Sequence, residues 1–329
     1  METVSLCPEC YASIPAVIYE RDGAAWMTKV CLEHGTFDAM VERDYGWWLY
    51  SQTHAGKGIY DGYIVDATTR CNLNCHHCFH SKGGADRSIP DIALELRSRS
   101  LPGDAPVILF GGEPTIHSEF FQLAREIRDE FGLLSMVTNG TMTADPSFFE
   151  KALPFFMLRG RDTTINVSTH KESNGADIAT LENARDAGVT IYSVLYLVDD
   201  IGQVEHAVKL ADRYSDVVQN VRIRAAGNIW AESEDPDRLF VSDIIKELAR
   251  LGRVELIAGA KHVTGFANIK FNGNLHLIPA AFPDVFRVDL QEIDCAPWYR
   301  AKDGSVNNIL TSLLINEGID KGFYQGRPV

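Results

Sequence analysis

The residues best able to do chemistry in this chain are its cysteines, and their spacing divides them into two groups. Cys7 and Cys10 bracket Pro8-Glu9, and Cys31-Leu32-Glu33-His34 repeats the two-residue gap. CxxC followed by CxxH is a zinc-type spacing, because two short knuckles bring four soft or borderline donors into a tetrahedron. Four protein ligands close such a site, so its role is structural. Zinc is the first choice and a mononuclear iron the second. A redox CxxC pair or a disulfide would use the same residues differently. The second group is Cys71, Cys75 and Cys78. Three thiolates so spaced can hold three irons of a [4Fe–4S] cubane, whose full ligation needs four. The missing ligand leaves one iron open to a small molecule. A zinc site completed by His76, His77 or His80 is the alternative. Cys295 stands alone, as a buried thiol, a hydrogen donor to substrate or a distant ligand.

A second motif is Phe110-Gly111-Gly112-Glu113-Pro114-Thr115. Paired glycines permit close backbone approach and unusual dihedrals. Glu113 supplies an anionic acceptor suited to an ammonium group. Taken alone, the motif also reads as a tight turn leading into a helix start at Pro-Thr.

These motifs need elements to position them. From Tyr60 the chain alternates strand-like and helix-like segments. Short apolar or β-branched runs predict strands over 62–67, 107–110, 133–138, 164–168, 190–197 and 218–224, the pattern of parallel strands covered on both faces. Helical spacing recurs at Phe120, Leu123, Ala124, Ile127 and Phe131, at Ile178, Leu181, Ala184 and Ala187, and at Val204, Ala207, Val208, Ala211 and Tyr214. Residues 236–251 supply another helix. Six βα units with right-handed crossovers are too few for an eight-stranded barrel, and predict a partial (β/α)6 barrel with its functional loops at the carboxyl ends of the strands. The cysteine triplet follows the first strand and the glycine pair ends the second. Near the N-terminus, residues 16–30 read as a hairpin turning at Asp22-Gly23. The aromatic link Tyr45-Gly46-Trp47-Trp48-Leu49-Tyr50 reads as packing between modules, or as a wall of a substrate cleft. Beyond Arg253, a hairpin at Asn272-Gly273 and a helix over 307–318 are expected. The expected division is a metal module over 1–59, a partial barrel over 60–253 and a closing segment over 254–329 that shapes the substrate site.

Composition bounds the partners. The 329 residues carry 31 Lys plus Arg against 45 Asp plus Glu, a formal charge of −14. So acidic a chain is a poor broad nucleic-acid surface. No apolar run is long enough to span a bilayer, and the first residues lack the apolar stretch of a signal peptide. Cysteines in tight metal-type clusters suit a reducing cytoplasm.

The CxxxCxxC triplet, the Gly-Gly-Glu-Pro motif and their places in the βα order resemble the radical S-adenosylmethionine (SAM) superfamily, over about residues 60–230. The resemblance implies a partial (β/α)6 TIM-like radical SAM barrel. Cys71, Cys75 and Cys78 would ligate a [4Fe–4S] cluster whose open iron binds the amino and carboxylate groups of SAM. Glu113 would hold the SAM amino group, with backbone help from Gly111 and Gly112. Reductive cleavage would give methionine and a 5′-deoxyadenosyl radical. His77, where an aromatic residue is usual, and Phe79 would lie near adenine. Asn139 falls in a Thr-Asn-Gly turn common in these enzymes. Ser168 would contact ribose or the SAM carboxylate. Arg224, preferred to Arg222 on the same strand face, would pin a carboxylate. By residue type, His170 reads as a substrate acid or base, or as a histidine satisfied by its own hydrogen bonds. The reductant would be a flavodoxin or ferredoxin, and a single cluster is expected.

The CPxC…CxxHG module before that core carries a narrower resemblance, to the group in which a small zinc-ribbon or rubredoxin-like module precedes the barrel. That group includes archaeal tetraether lipid synthase and the methanogen dihydropterin methylating enzyme. A small organic metabolite, modified by C–C bond formation, alkylation or rearrangement, is the expected substrate. A peptide- or protein-modifying enzyme is the alternative, ahead of an activase for a glycyl-radical enzyme and a non-enzymatic iron–sulfur or zinc interaction protein.

Overall fold

The computed structural model describes residues 1–54, 62–75, 78, 84–98, 105–169, 172, 174–227, 235, 237–257, 267–281, 284–290, 298–300 and 306–322, with the backbone alone at 53–54, 298–300 and 306–311. His76, His77, Phe79, His80, His170 and Cys295 lie outside the described residues.

The N-terminal module is an antiparallel sheet of β1 (Glu2–Leu6), β2 (Ser13–Arg21), β3 (Ala24–Cys31) and β4 (Gly35–Glu42), in that order. The β2–β3 turn is Asp22-Gly23, both at positive φ (54° and 80°), as a two-residue hairpin twisted with its strands requires. The aromatic link is a helix, α1 (Tyr45–His54). Trp48 packs with Ala16, Ile18, Ala25 and Met27 of the module, while Trp47 packs against the main core. Neighbouring side chains on a helix point about 100° apart, so the two indoles face different layers. The link therefore does pack module against main domain.

The main domain runs β5 (Tyr63–Thr68), α2 (Ile89–Arg97), β6 (Val107–Gly111), α3 (Phe120–Phe131), β7 (Leu134–Thr138) and α4 (Pro146–Phe156). A small hairpin of β8 (Met157–Arg159) and β9 (Asp162–Thr163) precedes β10 (Ile165–Thr169), α5 (Ala176–Asp186), β11 (Ile191–Val198), α6 (Gln203–Arg213), β12 (Val218–Ala225) and α7 (Val241–Leu251). Strands β5, β6, β7, β10, β11 and β12 are neighbours in chain order and pair in parallel throughout. These are the six expected strands, each followed by a helix. α7 starts later than its pattern suggested, where the Asp243 carboxylate accepts from Phe240 N–H at 3.0 Å and caps the first turn.

Beyond α7 come β13 (Val254–Leu256), β14 (Ile269–Phe271) and β15 (Leu275–Ala280), with the expected turn at Asn272-Gly273. β15 also pairs in parallel with β12 and so extends the parallel sheet, a pairing that local pattern did not reveal. At the other edge, β16 (Trp298–Arg300) meets β5 and pairs with β17 (Val306–Asn308), which leads into α8 (Ile309–Asp320).

Alternation along the parallel strands separates two environments. Val65, Leu109, Met136, Val167, Val194 and Ile223 join helix residues such as Ile92, Leu123, Phe149, Leu181 and Ile244 in one buried cluster. Each such side chain contributes roughly 1.5–3 kcal/mol on burial. The opposite face carries a polar row at Asn166, Ser193 and Asn220, which sit side by side in register. The row satisfies itself: Ser193 Oγ donates to Asn220 Oδ1 at 2.7 Å, Asn220 Nδ2 to Tyr192 O at 2.7 Å, and Asn166 Nδ2 to Met136 O at 3.2 Å. It forms a closed polar layer beneath the carboxyl-end loops.

The N-terminal sheet is completed from the far end of the chain. Val4 and Leu6 pack with Val285, Phe286, Val288 and Leu290, and Leu290 N–H donates to Val4 O at 2.8 Å. Lys29 is 1% exposed. Its ammonium donates to Ser5 Oγ (3.1 Å), Leu6 O (2.7 Å) and Val285 O (2.7 Å). Burial lowers its pKa to about 7, against the pull of Asp284. Arg238 and Arg287 both bind the Asp284 carboxylate, at 2.7 and 2.6 Å.

Candidate active site and metal centre

The two knuckles meet at one end of the N-terminal sheet. Cys7 and Cys10 flank the turn leaving β1, and Cys31 and His34 flank the turn from β3 to β4. The donor atoms of all four lie within 4.8 Å of one another. His34 Nδ1 sits 3.6 Å from Cys7 Sγ and 3.4 Å from Cys31 Sγ. A tetrahedral zinc with Zn–S near 2.3 Å puts its donors under about 4 Å apart, so this set fits one ion. The cysteines are buried and the histidine is exposed. Burial pushes the Cys7 thiol up to about 12. Burial also raises Cys31, but the N–H of Glu33 and the His34 ring outweigh it and bring that thiol to about 7. A divalent ion removes the cost of such crowded thiols by taking them as thiolates.

The second site lies over the carboxyl ends of β5, β6, β7, β10, β11 and β12. Cys71, Cys75 and Cys78 are half-buried and outside any disulfide, on the loop after β5. They share a cavity of about 130 Å3 with Glu113, Asn139, Ser168, Leu195, Leu197 and Arg224. Leu73 N–H donates to Cys71 Sγ at 3.4 Å, and Asn139 Nδ2 approaches it at 3.8 Å. Burial raises the Cys71 pKa, with Glu113 and Cys78 adding to the rise.

The glycine pair seats this cysteine loop. Gly112 N–H donates to Thr68 O and Glu113 N–H to Arg70 O, both at 2.8 Å. A Cβ on Gly112 would lie 2.0 Å from Arg70 O, and one on Gly111 2.2 Å from Thr68 O. Gly111 also holds φ at 118°. Two backbones approach here at a distance that no side chain allows.

Glu113 is 1% exposed. Its Oε1 accepts from Thr115 N–H (3.1 Å), the Thr115 hydroxyl and Thr138 Oγ1 (2.8 Å), and its Oε2 from Asn139 N–H (2.6 Å). Burial raises its pKa, and these donors pull it back toward the ionised form. Among the described residues Oε2 takes a single donor, which leaves it acceptor capacity.

Asn139 ties β7 to the cysteine loop. Its Nδ2 donates to Asn72 Oδ1 at 2.9 Å, and its Oδ1 accepts from Thr141 N–H at 3.0 Å. Asn72 Nδ2 in turn donates to Thr141 Oγ1 at 2.7 Å. A second clamp holds the base of the loop: Arg70 pairs with Asp86 through two bonds of 2.9 and 2.8 Å and donates to Ile116 O at 2.7 Å. Asp86 also accepts from Ser118 N–H and Oγ.

The far wall comes from β10, β11 and β12. Ser168 and Thr169 line it, and Thr169 Oγ1 is buried with no hydrogen-bond partner among the described residues. Such an atom awaits a ligand's polar group. Arg224 closes the wall. Burial and the neighbouring Arg222 lower its pKa to about 10, and Cys78 opposes them. A cysteine triplet, an acceptor carboxylate, a guanidinium and a buried hydroxyl with no partner among the described residues, around one cavity, fit an iron–sulfur cluster with a zwitterionic ligand.

Cys71, Cys75, Cys78, Gly111, Gly112, Glu113, Asn139, Ser168 and Arg224 all line this one cavity. Sequence reasoning missed Arg70, Asp86, Asn72, Thr138 and Thr169. Arg70 and Thr138 left traces, the first directly before the first cysteine and the second in the Thr-Asn-Gly turn.

Residues 1–43 match the HMPTM N-terminal zinc ribbon domain, and residues 65–211 match the radical SAM superfamily. The 7,8-dihydro-6-hydroxymethylpterin dimethyltransferase of Methanocaldococcus jannaschii is 30% identical over 182 residues, covering 46% of this chain and 36% of that protein. The mycofactocin maturase MftC of Mycobacterium ulcerans is 25% identical over 226 residues, covering 59% of this chain and 60% of that protein. Streptococcus suis SuiB bound to the precursor peptide SuiA aligns with a TM-score of 0.45 at 13% identity, over 62% of this chain and 48% of that one. The chain therefore spans less than two thirds of the length of these relatives.

Proposed function

The chain belongs to the radical SAM superfamily, and from that premise we propose that it cleaves SAM reductively and uses the resulting radical on a small organic metabolite. One observation carries the reading: Cys71, Cys75 and Cys78 open onto the same cavity as Glu113, Ser168 and Arg224. When bound, the cluster supplies the electron that splits SAM into methionine and a 5′-deoxyadenosyl radical. The three thiolates hold three irons and leave the fourth for SAM. Glu113 Oε2 accepts from the SAM ammonium, with the carboxylate fixed by Thr115, Thr138 and Asn139. Arg224 pairs with the SAM carboxylate, and the hydroxyls of Ser168 and Thr169 meet its polar groups. Leu195 and Leu197 keep water from the apolar wall, which protects a carbon radical.

Zinc holds Cys7, Cys10, Cys31 and His34 and maintains the N-terminal sheet. C–C bond formation, alkylation or rearrangement of a small metabolite is favoured by the dihydropterin dimethyltransferase relative, whose name is that of an enzyme methylating a small molecule. The MftC relative supports a second reading, modification of a peptide, through its longer match. A flavodoxin or ferredoxin supplies the electron in either case.

The test is 5′-deoxyadenosine formation by the anaerobically reconstituted, reduced protein. Wild type produces it, and Cys75→Ala abolishes it. Undiminished product from Cys75→Ala would remove the assignment.

A further inference from the structure

The wall that holds Arg224 continues downward, and a second arginine lies on it. β12 pairs in unbroken register with β11, placing Arg222 beside Leu195 and Arg224 beside Leu197. On its other side, β15 sets Ile278 beside Arg222 and Ala280 beside Arg224. Register partners in a parallel sheet share a face. Leu195, Leu197 and Arg224 all line the cavity, whereas the alternate residues Val221 and Ile223 lie in the helix-side core. Arg222 is therefore on the cavity face. At about 3.3 Å per residue it sits about 7 Å deeper than Arg224, between that arginine and the self-satisfied layer of Asn166, Ser193 and Asn220.

Arg222 is half-buried, flanked across the sheet by Leu195 and Ile278 and along its strand by Arg224 and Asn220. It makes no hydrogen bond or ion pair among the described residues, in a chain of formal charge −14 that pairs many of its other arginines. A partly desolvated guanidinium with no anion is costly, and its planar fork matches a carboxylate or phosphate in two parallel bonds. Asn220 cannot serve it, since its amide is already committed to Ser193 and Tyr192. On the proposed reading Arg224 is occupied by SAM, which leaves Arg222 to whatever lies beyond.

We infer that Arg222 recognises the substrate, and that the substrate presents an oxyanion, a carboxylate or a phosphate, to the inner part of the cavity. This rests on the radical SAM reading above. The apolar flanks Leu195 and Ile278 suit an anion carried on an apolar body.

The experiment is equilibrium dialysis of the reconstituted holoenzyme, in the presence of SAM, against labelled benzoate and labelled inorganic phosphate. Wild type binds at least one of them. Benzoate alone identifies a carboxylate on an apolar body, and phosphate alone a phosphoryl group. Arg222→Gln weakens that binding at least ten-fold, and Arg222→Lys, which keeps the charge, recovers part of it. Binding to neither probe, or equal binding by wild type and Arg222→Gln, overturns the inference. Iron content and SAM affinity are measured on the same samples. If both are normal while the probes fail, only the role of Arg222 falls. If wild type itself assembles no cluster or binds no SAM, the underlying reading falls and this one with it.

Discussion

At Glu113 a single carboxylate joins the ends of two strands and still lines the cavity. Its bonds to Thr115, Thr138 and Asn139 fix the end of β6 against the end of β7. The charge, more than the shape, is what an ammonium group needs. Glu113→Gln keeps the volume and an acceptor oxygen but loses the charge. It is expected to retain cluster iron while weakening SAM binding at least ten-fold, about 1.4 kcal/mol, as titration calorimetry would measure. Unchanged affinity would leave Glu113 a bracket only. The sequence made the glutamate and its glycines visible, because residue type alone announces them. It did not show why two glycines are needed. That reason is the approach of Thr68 O and Arg70 O, a meeting of segments about forty residues apart.

At the scale of elements, the cysteine loop is held from beneath by Arg70 and Asp86. Burial raises the Asp86 pKa, but Ser118, Thr68 and Arg70 outweigh it and hold the carboxyl well below its ordinary range. A carboxylate depressed on folding adds stability above its unfolded pKa, and that stability is lost as the pH falls through the depressed value. The clamp should therefore persist across the neutral and mildly acid range. Asp86→Asn should lower the melting temperature at pH 7, and the gap to wild type should narrow as the pH falls below 4. A constant gap across that range would show that the charge is not what matters. The six parallel strands were legible because each is a short apolar or β-branched run between turn signals. The helix Tyr45–His54 was not, since its aromatic residues face two layers at once and show no polar stripe. β15 was legible as half of a hairpin, but its parallel pairing with β12 leaves no local trace.

At the scale of the molecule, the metal ribbon is not an appendage. Lys29, two residues before the ligand Cys31, bonds to Val285 O, and Leu290 bonds to Val4. Loss of the ribbon metal should therefore be felt by the C-terminal segment as well. Cys31→Ser is expected to lose its zinc and to lower the unfolding temperature of the whole chain, while the cluster iron stays. Metal analysis with calorimetry checks this, and parallel loss of zinc and iron would contradict it. Ligand spacing revealed the metal site from sequence. The docking of residues 284–290 was hidden, because it depends on a buried lysine and on carbonyl groups that every sequence possesses.

On the proposed function, Cys71, Cys75 and Cys78 hold a cluster with one iron open to SAM. Electron paramagnetic resonance of the reduced, reconstituted protein addresses it directly. The expected result is a [4Fe–4S]+ signal that changes on adding SAM and is absent when the three cysteines are replaced by alanine. A signal indifferent to SAM, or one that survives the triple replacement, would contradict it.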